Sequence, residues 1–424
     1  MSELGLSPIA AGDPNLSVAD ARAAIAAALR PIDESEQIPL AAALGRVLAF
    51  DVLSPIDVPG HDNSAMDGFA FRGSDIASRQ ATVLRIVGSA LAGAPYPGSV
   101  GTGEAIRITT GAVMPAGLDT VVPQELCAVD GESVRFESNA IRSGENRRLR
   151  GEDLGAGRAA LRARRRLTAA DLGLIASLGL DAVDVFRKLR VALFSTGDEL
   201  RTAGQPLDSG SVYDSNRYSL LGALQRLDVE VIDFGLVPDS REALQATLQK
   251  AVEQADVVLT SGGVSVGEAD YTREILGRMG EVMFWKVAMR PGRPFAFGPL
   301  RRVSPRPPAW LFALPGNPVA ALVTFYVFAR DALLALAGAE ARPLPVLQAR
   351  CATAIRKRPG RTEFQRAIVE PAADGSWRVR LTGSQGAGVL RSMSEANALL
   401  VLRQDQGGVA AGEFVDVWLF DGLT

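Results

Sequence analysis

The stretch Asp256–Tyr271, DVVLTSGGVSVGEADY, decides the fold of the middle of this 424-residue chain. The apolar run Val257–Leu259 predicts a short buried strand, which passes directly into a turn rich in glycine and hydroxyl side chains. Such turns at the carboxyl ends of parallel strands let backbone N–H groups converge on an anion. Glu268 and Asp270 follow at once, as expected if a hard cation such as Mg²⁺ joins them to that anion. The alternative is a plain strand-to-helix turn in which Asp270 only caps the next helix.

Outward from this stretch, apolar strands alternate with helical patterns. Strands are predicted at 191–194, 229–234, 257–259 and 310–314, and helices near 215–227, 240–254 and 317–337. This alternation predicts βαβ units and a mainly parallel sheet, and hence a three-layer α/β domain over residues 187–338.

The flanking segments have different textures. Residues 15–55 and 148–186 contain helices with capping signals, Ser17 with Asp20 and Thr168 with Asp171. Short β-like runs punctuated by Gly and Pro fill residues 56–147, and β-like runs return over 339–424. We therefore expect a discontinuous N-terminal domain of helical and mixed structure, an inserted β-rich domain, the α/β domain and a C-terminal β-barrel.

Composition limits the setting of the protein. Hydrophobic residues make up 47% and charged residues 22% of the chain, as is ordinary for a globular protein. No uninterrupted apolar run reaches the roughly 18 residues that cross a bilayer, and the N-terminus lacks the pattern of a secretory signal. Cys127 and Cys351 support neither a disulfide framework nor a thiolate metal site. We expect a cytoplasmic protein without membrane contact.

Charge and histidine content limit the chemistry. The net charge of −3 argues against nucleic-acid binding. His61 is the only histidine, which excludes zinc sites of the His type and Ser–His–Asp triads. Polar chemistry falls to Asp, Glu, Lys, Arg and hydroxyl groups, and this favours oxygen-ligated metal and phosphate chemistry.

Several polar segments are candidates for such a site. Asp214 and Asp239 precede predicted helices, where both also fit helix caps. Arg290 and Arg293 are held by two prolines and a glycine, and their stiff forks suit oxyanions, although a solvated surface turn is the alternative. The segment Leu314–Pro318 begins a helix with free N–H groups that favour an anion. Outside the α/β domain, Asp62–Asp67 is too polar for a core strand, and Arg147–Asp153 mixes basic and acidic residues.

Seven segments together resemble the MoeA family of molybdopterin molybdenumtransferases, which includes the C-terminal domain of gephyrin. They are DNSAMDG (62–68), RGED (150–153), FSTGDEL (194–200), SGGVSVGEADY (261–271), RPGRPFAFG (290–298), LPGNP (314–318) and GSQG (383–386). The resemblance extends from about residue 15 to residue 420.

The resemblance implies a reaction and an assembly. Members of this family insert molybdate into adenylylated molybdopterin and release AMP, with Mg²⁺, in molybdenum cofactor biosynthesis. It also implies a MogA-like molybdopterin-binding α/β domain, and a homodimer in which the N-terminal domain acts as linker and dimerisation domain. Molybdopterin adenylyltransferase and enzymes that accept the cofactor are the implied protein partners.

The resemblance also assigns site residues. The implied catalytic acids are Asp62, Asp153, Glu199, Asp239 and Asp270, of which Glu199 and Asp270 bind the metal. The implied substrate contacts are Thr110, Gly262, Gly263, Ser265, Gly267, Arg290, Arg293, Pro315, Pro318 and Ser384. Asp62 and Asp153 would act at the molybdate end, supplied across the dimer interface, and the glycine-rich turn would hold the phosphate and AMP side.

Two departures from the family pattern stand out. Arg290 and Arg293 replace lysines, so a planar fork replaces a point charge, and Ala387–Gly388 replaces a Ser-His pair. The sequence leaves open whether the oxyanion is molybdate or tungstate, and whether the chain is a specialised paralogue. The alternative functions are the adenylyltransferase step, against which the extra domains argue, and a non-catalytic pterin-binding scaffold.

Overall fold

The computed structural model describes residues 16–78, 80–262, 270–303, 306–340 and 344–420, with backbone alone at 270–273, 284 and 285. The predicted site residues Gly263, Ser265 and Gly267, and the side chain of Asp270, lie outside the described residues.

The N-terminal module is assembled from two separate stretches of chain. Helix α1 (Val18–Ala28) begins after Ser17, whose hydroxyl accepts a hydrogen bond from Asp20 N at 3.0 Å. Helix α2 (Ala169–Ser177) begins with the predicted capping box. Two antiparallel pairs join the stretches: Ser35–Pro39 with Ala182–Phe186, and Val52–Leu53 with Ala159–Leu161.

A β-rich module is inserted between those strands. Its six-stranded sheet has the order Thr120–Pro123, Gly68–Phe71, Glu104–Ile108, Thr82–Ala90, Ser133–Phe136 and Ala128–Asp130. Apolar side chains of alternating residues fill a core on each face, with Phe69 and Phe71 on one and Ala70 on the other. A short pair, Asn63–Ser64 with Arg147–Arg148, lies beside this sheet.

The α/β domain is built on a six-stranded sheet. Its strand order is Glu230–Val237, Arg190–Thr196, Val257–Ser261, Ala309–Leu314, Pro294–Leu300 and Met283–Lys286. The first four strands are parallel to one another. Pro294–Leu300 pairs antiparallel with both of its neighbours. Val191 and Leu193 point to one core and Ala192 and Phe194 to the other, so both faces are covered.

Helices cover the two faces of that sheet. They are α3 (Ser215–Gln225), α4 (Arg241–Gln254), α5 (Asp270–Met279), α6 (Pro318–Thr324) and α7 (Arg330–Leu336). Helices α3, α6 and α7 share a core with α1, and α4 and α5 pack on the opposite face. The three predicted layers are therefore confirmed.

The helix starts test two capping expectations. Asp214 caps α3, because its Oδ1 accepts a hydrogen bond from Arg217 N at 3.2 Å. The expectation that Asp239 caps the next helix is wrong. Ser240 is the N-cap of α4, and its hydroxyl accepts from Ala243 N at 3.3 Å, since a serine one residue nearer the helix reaches that N–H.

The continuous helix Pro318–Leu336 passes a length-and-composition test for a membrane span. The run-length criterion missed it because Arg330 and Asp331 interrupt its apolar residues. Of its most apolar window 78% is buried inside the protein, as in the core helix of a globular domain. A π-helical turn, Phe325–Ala329, joins its two halves.

The C-terminal module is a closed barrel of five strands. They are Leu347–Cys351, Thr362–Pro371, Trp377–Leu381, Ala398–Leu402 and Phe414–Leu419. Pairing of Thr362–Pro371 with both Trp377–Leu381 and Ala398–Leu402 closes the ring. Helix α8 (Leu390–Glu395) lies between two of the strands in sequence. The predicted combination of an α/β domain with a β-barrel is confirmed.

Candidate functional site

The carboxyl ends of three neighbouring strands form one continuous polar surface, which we call the sheet edge. It comprises residues 195–199, 261–262 and 314–318 with the start of α3. Ser195 Oγ donates to Asp214 Oδ1 at 3.0 Å. Asn216 Nδ2 donates to Ser261 Oγ at 2.8 Å and to Gly316 O at 2.6 Å. These buried bonds tie the three strand ends together, as expected for a ligand-binding edge of an open α/β sheet.

Gly262 opens the predicted phosphate turn in a conformation that suits glycine. Its φ is +94°, and a Cβ there would lie 2.3 Å from Thr196 O. The backbone of the two strands can therefore approach only because no side chain is present. The buried Thr196 Oγ1 has no hydrogen-bond partner among the described residues, so it is available to a ligand.

Two predicted acids belong to the sheet edge. The Glu199 side chain is exposed and lies against Gly197, since a Cβ added to that glycine would be 2.7 Å from Glu199 Oε2. The Glu199 carboxylate forms no hydrogen bond to a described residue. Asp239 N donates to Asp198 Oδ1 at 3.3 Å, which places Asp239 beside the segment 197–199 of the sheet edge. The sequence prediction passed over Asp198. Helix α5 begins at Asp270.

A second polar place, which we call the acidic corner, contains Asp62, Asp67 and Thr110 of the inserted module and Asp153 of the stretch that follows it. Asp62 Oδ1 accepts from Arg150 N at 2.9 Å, and its Oδ2 lies 3.7 Å from Arg147 NH1. Asp153 N donates to Val58 O at 3.1 Å. The DNSAMDG and RGED segments are thus adjacent, although about 85 residues separate them in sequence.

Thr110 is held by an acid that the sequence prediction missed. Its N and its Oγ1 donate to Asp67 Oδ1 at 2.7 and 2.8 Å. The hydrogen bond from the backbone of Thr110, and then that from its hydroxyl, lower the pKa of Asp67. The second aspartate of DNSAMDG was the available signal, because its spacing from Asp62 is fixed within one motif.

The α/β domain and the barrel are joined by backbone hydrogen bonds. The short strand Met289–Arg290 pairs in parallel with Thr362–Glu363 at one end of a barrel strand. Val319 N, at the start of α6, donates to Ala387 O at 3.0 Å. The Arg290 and GSQG segments are therefore brought to the same inter-domain joint.

A cavity of about 530 Å³ opens at this joint, and we call it the basic cavity. Five cations and one acid line it: Arg290, Arg356, Lys357, Arg358, Arg361 and Glu363. Burial lowers the pKa of Lys357, whose Nζ donates to Gln406 O at 2.6 Å. The sequence prediction named only Arg290 here. Such a density of positive charge around one small space suits a multiply charged oxyanion.

Arg293 lies three residues after Arg290, and the two predicted prolines belong to the segment 314–318 of the sheet edge. Arg293 Nε is buried without a hydrogen-bond partner among the described residues. Gly292, with φ +95°, leaves no space for a Cβ, which would lie 2.3 Å from Thr324 Oγ1. Pro315 O accepts from Ser261 Oγ at 3.3 Å, and Pro318 is the first residue of α6.

Arg366 organises the loop that holds Ser384. Its side chain is 1% exposed, and its guanidinium donates to the backbone oxygens of Ser384, Gln385 and Gly386 at 3.2, 3.2 and 2.9 Å. It also donates from Nε to Ser392 Oγ at 3.0 Å. Burial, and then the charge of Arg290, lower the pKa of Arg366 to about 10. Ser384 itself is exposed.

Within the described residues, no group of three or more His, Cys, Asp or Glu side chains forms a metal-binding cluster. The expected Mg²⁺ site at Glu199 and Asp270 therefore remains a prediction. The donor chemistry fits a hard cation, since the exposed Glu199 carboxylate forms no hydrogen bond to a described residue.

Three family profiles match the chain and together define its class of protein. Residues 192–335 match the family profile of a "probable molybdopterin binding domain". Residues 16–179 match the MoeA N-terminal region, domains I and II, and residues 348–420 match the MoeA C-terminal region, domain IV. The class is thus a multidomain protein built around a molybdopterin-binding α/β domain.

Individual relatives define the family. The chain is 41% identical to a molybdopterin molybdenumtransferase of Haemophilus influenzae over 92% of this chain and 95% of that protein. A Nostoc relative of the same name is 38% identical over 90% and 88%. The MoeA crystal structure from Pyrococcus horikoshii OT3 superposes with a TM-score of 0.82 at 28% identity, covering 95% of this chain and 99% of that one. The chain therefore belongs to the MoeA family and is a transferase of molybdenum cofactor biosynthesis.

Proposed function

We propose that this enzyme inserts molybdate into adenylylated molybdopterin and releases AMP. The observation that carries the proposal is the basic cavity, where five cations surround about 530 Å³ at the joint between the α/β domain and the barrel. An oxyanion and a nucleotide-linked pterin are both anionic, and a chain with one histidine can act on them by positioning and charge neutralisation. Neither the adenylyltransferase alternative nor the scaffold alternative is favoured by the relatives.

The sheet edge suits the phosphoanhydride of the pterin nucleotide. The Gly262 backbone approaches Thr196 closely, and the unpartnered Thr196 Oγ1 points to a polar ligand there. Glu199 and Asp270 are the residues that would hold Mg²⁺, which when bound neutralises phosphate charge. Glu199 and Asp239 orient a water whose oxygen bonds to one phosphorus of the anhydride as the bridging P–O bond breaks, so that AMP leaves and the pterin keeps its own phosphate.

The basic cavity suits molybdate. Arg290 and Arg361 bind its oxygens with planar forks, and Arg293, Pro315, Pro318 and Ser384 line the path towards the pterin. Because Arg366 keeps the Ser384 loop in place without a carboxylate partner, it adds positive potential to this region.

The acidic corner acts in this proposal across a homodimer. Asp62 and Asp67 accept hydrogen bonds from Arg150 N and from Thr110 of their own chain, and in this proposal a second copy brings the carboxylates of the corner to the sheet edge. Asp62 of the partner subunit and Asp153 of the partner subunit would then face the molybdate end, near Thr110 of the partner subunit. We expect a cytoplasmic enzyme that receives its substrate from an adenylyltransferase and passes the cofactor to acceptor enzymes.

The test is AMP release by the purified protein with adenylylated molybdopterin, Mg²⁺ and molybdate. Arg361→Gln removes one cation of the basic cavity, and we expect the KM for molybdate to rise about tenfold or more. Arg391→Gln is the matched control, because Arg391 is 87% exposed and pairs with Glu395 on α8; its kinetics should stay unchanged. Repeating the assay with tungstate measures oxyanion choice.

The same preparation separates the alternatives. An adenylyltransferase would consume ATP with free molybdopterin, and a scaffold would bind the pterin nucleotide without releasing AMP. Either result, or an unchanged KM in Arg361→Gln, would contradict the proposal.

A further inference from the structure

A second cavity, of about 760 Å³, lies where the N-terminal module meets the α/β domain. Residues of α1, of the basic run Arg162–Arg166 and of α7 contribute to it. Backbone bonds frame the junction: Ile32 N donates to Leu336 O, and Glu340 N donates to Arg164 O, at 2.9 and 2.8 Å. The cavity is separate from the basic cavity, and it includes no residue assigned above to the transferase site.

Its lining has more positive than negative charge. Four arginines face two acids: Arg22, Arg164, Arg166 and Arg330 against Asp331 and Glu340. Asp331 serves two of the cations at once, since its Oδ2 lies 2.5 Å from Arg22 NH2 and its Oδ1 2.7 Å from Arg330 NH1. The lining thus carries four positive and two negative side chains.

Arg166 donates hydrogen bonds only to backbone oxygens and forms no salt bridge with a described carboxylate. It is half-buried, and its Nε and NH2 donate to the backbone oxygens of Gly45 and Arg226 at 3.1 and 2.8 Å, which orient the guanidinium without neutralising it. Burial, and then the like charge of Arg330, lower the pKa of Arg166. The nearby Asp228 carboxylate opposes this shift, and an anion between Arg166 and Arg330 would further reduce the repulsion between the two guanidinium groups.

Apolar side chains form the rest of the lining. Leu44 is 60% exposed, and Leu334, Ala335 and Ala339 are partly buried around the same space. A bare inorganic anion would leave this apolar surface in contact with water. A ligand with both an anionic group and an apolar body satisfies both parts of the cavity, and the volume lies in the ordinary range of small-molecule sites.

We propose that this cavity is a binding site for a small organic anion, a phosphate monoester or carboxylate carried on an apolar ring or chain. Its anionic group lies between Arg166 and Arg330, and its apolar part lies against Leu44 and Leu334. Because the ligand contacts both the N-terminal module and the α/β domain, its binding stabilises their junction. This inference does not rest on the transferase reaction.

The test uses the full chain and phenyl phosphate as the probe, with binding measured by isothermal titration calorimetry. Inorganic phosphate and phenol report the anionic and the apolar parts separately, and benzoate distinguishes carboxylate from phosphate. We expect phenyl phosphate or benzoate to bind more tightly than inorganic phosphate or phenol, and to raise the melting temperature of the protein. Arg166→Gln should weaken that binding about tenfold or more.

Three variants make the result specific. Arg162→Gln removes a cation of the same run that is 80% exposed and pairs with Asp51, so binding should be unchanged. Arg361→Gln tests whether the probe binds in the basic cavity instead. Arg22→Gln, on α1 at a partly exposed position, is a second disruption should Arg166→Gln fail to fold.

The proposal is overturned if both aromatic anions bind more weakly than roughly 1 mM. It is also overturned if Arg361→Gln abolishes binding while Arg166→Gln and Arg22→Gln leave it intact. If the cavity receives a second copy of this chain instead, Arg166→Gln changes the mass in sedimentation and the probes do not bind, which excludes the small-ligand site.

Discussion

The basic cavity and the acidic corner differ both in charge and in how their residues come together. The basic cavity collects cations from two domains, Arg290 from the α/β domain and Arg356–Arg361 from the barrel, and a single acid accompanies them. The acidic corner joins the inserted module to the stretch 148–153, where Asp62 accepts a hydrogen bond from Arg150 N and Asp67 accepts two from Thr110. The corner is thus oriented in advance, whereas the Glu199 carboxylate at the sheet edge has no described partner. The contrast fits the proposed function, in which ligands supply the partners of the sheet edge and the basic cavity. In that proposal the corner is already ordered and only has to be brought to the sheet edge by a second subunit.

The largest effect is expected at Asp270. Asp270→Ala should reduce AMP release roughly 100-fold or more, because the proposed function assigns this carboxylate to Mg²⁺ and the phosphates. Asp270→Ser should be equally inactive, although serine also favours a helix start. The measurement is AMP formation at saturating substrate, with Asp208→Ala, at an exposed carboxylate, as control. A fully active Asp270→Ser would mean that this residue only begins α5.

A mixing experiment tests whether the corner and the sheet edge belong to different subunits. Asp62→Ala and Glu199→Ala should each be nearly inactive alone. After co-refolding in equal amounts, activity should return to about a quarter of the wild-type value, since half of the dimers are mixed and each has one intact site. Each variant mixed with itself is the control. No recovery, with dimers demonstrated by sedimentation, would place both groups in one subunit's site or in none.

A smaller effect is expected from Arg366→Lys. Lysine keeps the charge but cannot reach all three backbone oxygens of the Ser384 loop, so part-buried hydrogen bonds of a buried cation are lost. The free energy of unfolding should fall by about 2–4 kcal/mol, measured by urea denaturation of the full chain. Arg378→Lys, at an exposed position of a neighbouring strand, should change it little. Equal stability of the two variants would show that the loop does not depend on the Arg366 fork.

The smallest effect concerns the corner itself. Thr110→Val removes one of the two hydrogen bonds to Asp67, so the pKa of Asp67 should rise towards its ordinary value while the backbone N–H still holds it low. Since the folded-state pKa is lowered, this interaction stabilises the protein above the ordinary pKa of aspartate, and the contribution is lost as pH falls through the lowered value. Carbon-detected NMR titration of Asp67 measures the change, with Thr102→Val as control. An unmoved pKa would mean that the hydroxyl contributes nothing.

Sequence patterns gave the α/β domain because its strands are short, apolar and separated by capped helices. The strand predicted at 257–259 is Val257–Ser261, and Thr168 caps α2 as expected. They failed where two polar residues competed for one role: Ser240, not Asp239, caps α4. A propensity ranking cannot decide between neighbours that both suit a cap.

The basic cavity could not be predicted from the sequence for a different reason. Arg290 and Arg361 are about 70 residues apart, and the parallel pairing of Met289–Arg290 with Thr362–Glu363 brings their segments together. Arg366 lies in a strand with no unusual local pattern, and its role depends on a loop 18–20 residues later. The family resemblance identified Arg290 and Ser384 only because these residues lie inside the motifs RPGRPFAFG and GSQG.

The closed barrel has an evolutionary consequence. Its five-membered ring leaves no unpaired edge among those strands, and Arg356–Arg361 sits on the connection between two of them rather than in the ladder. That connection can gain, lose or exchange cations with little risk of aggregation. If this loop binds molybdate as proposed, selection can therefore alter discrimination between related metal oxides in one short segment while the rest of the enzyme is inherited unaltered.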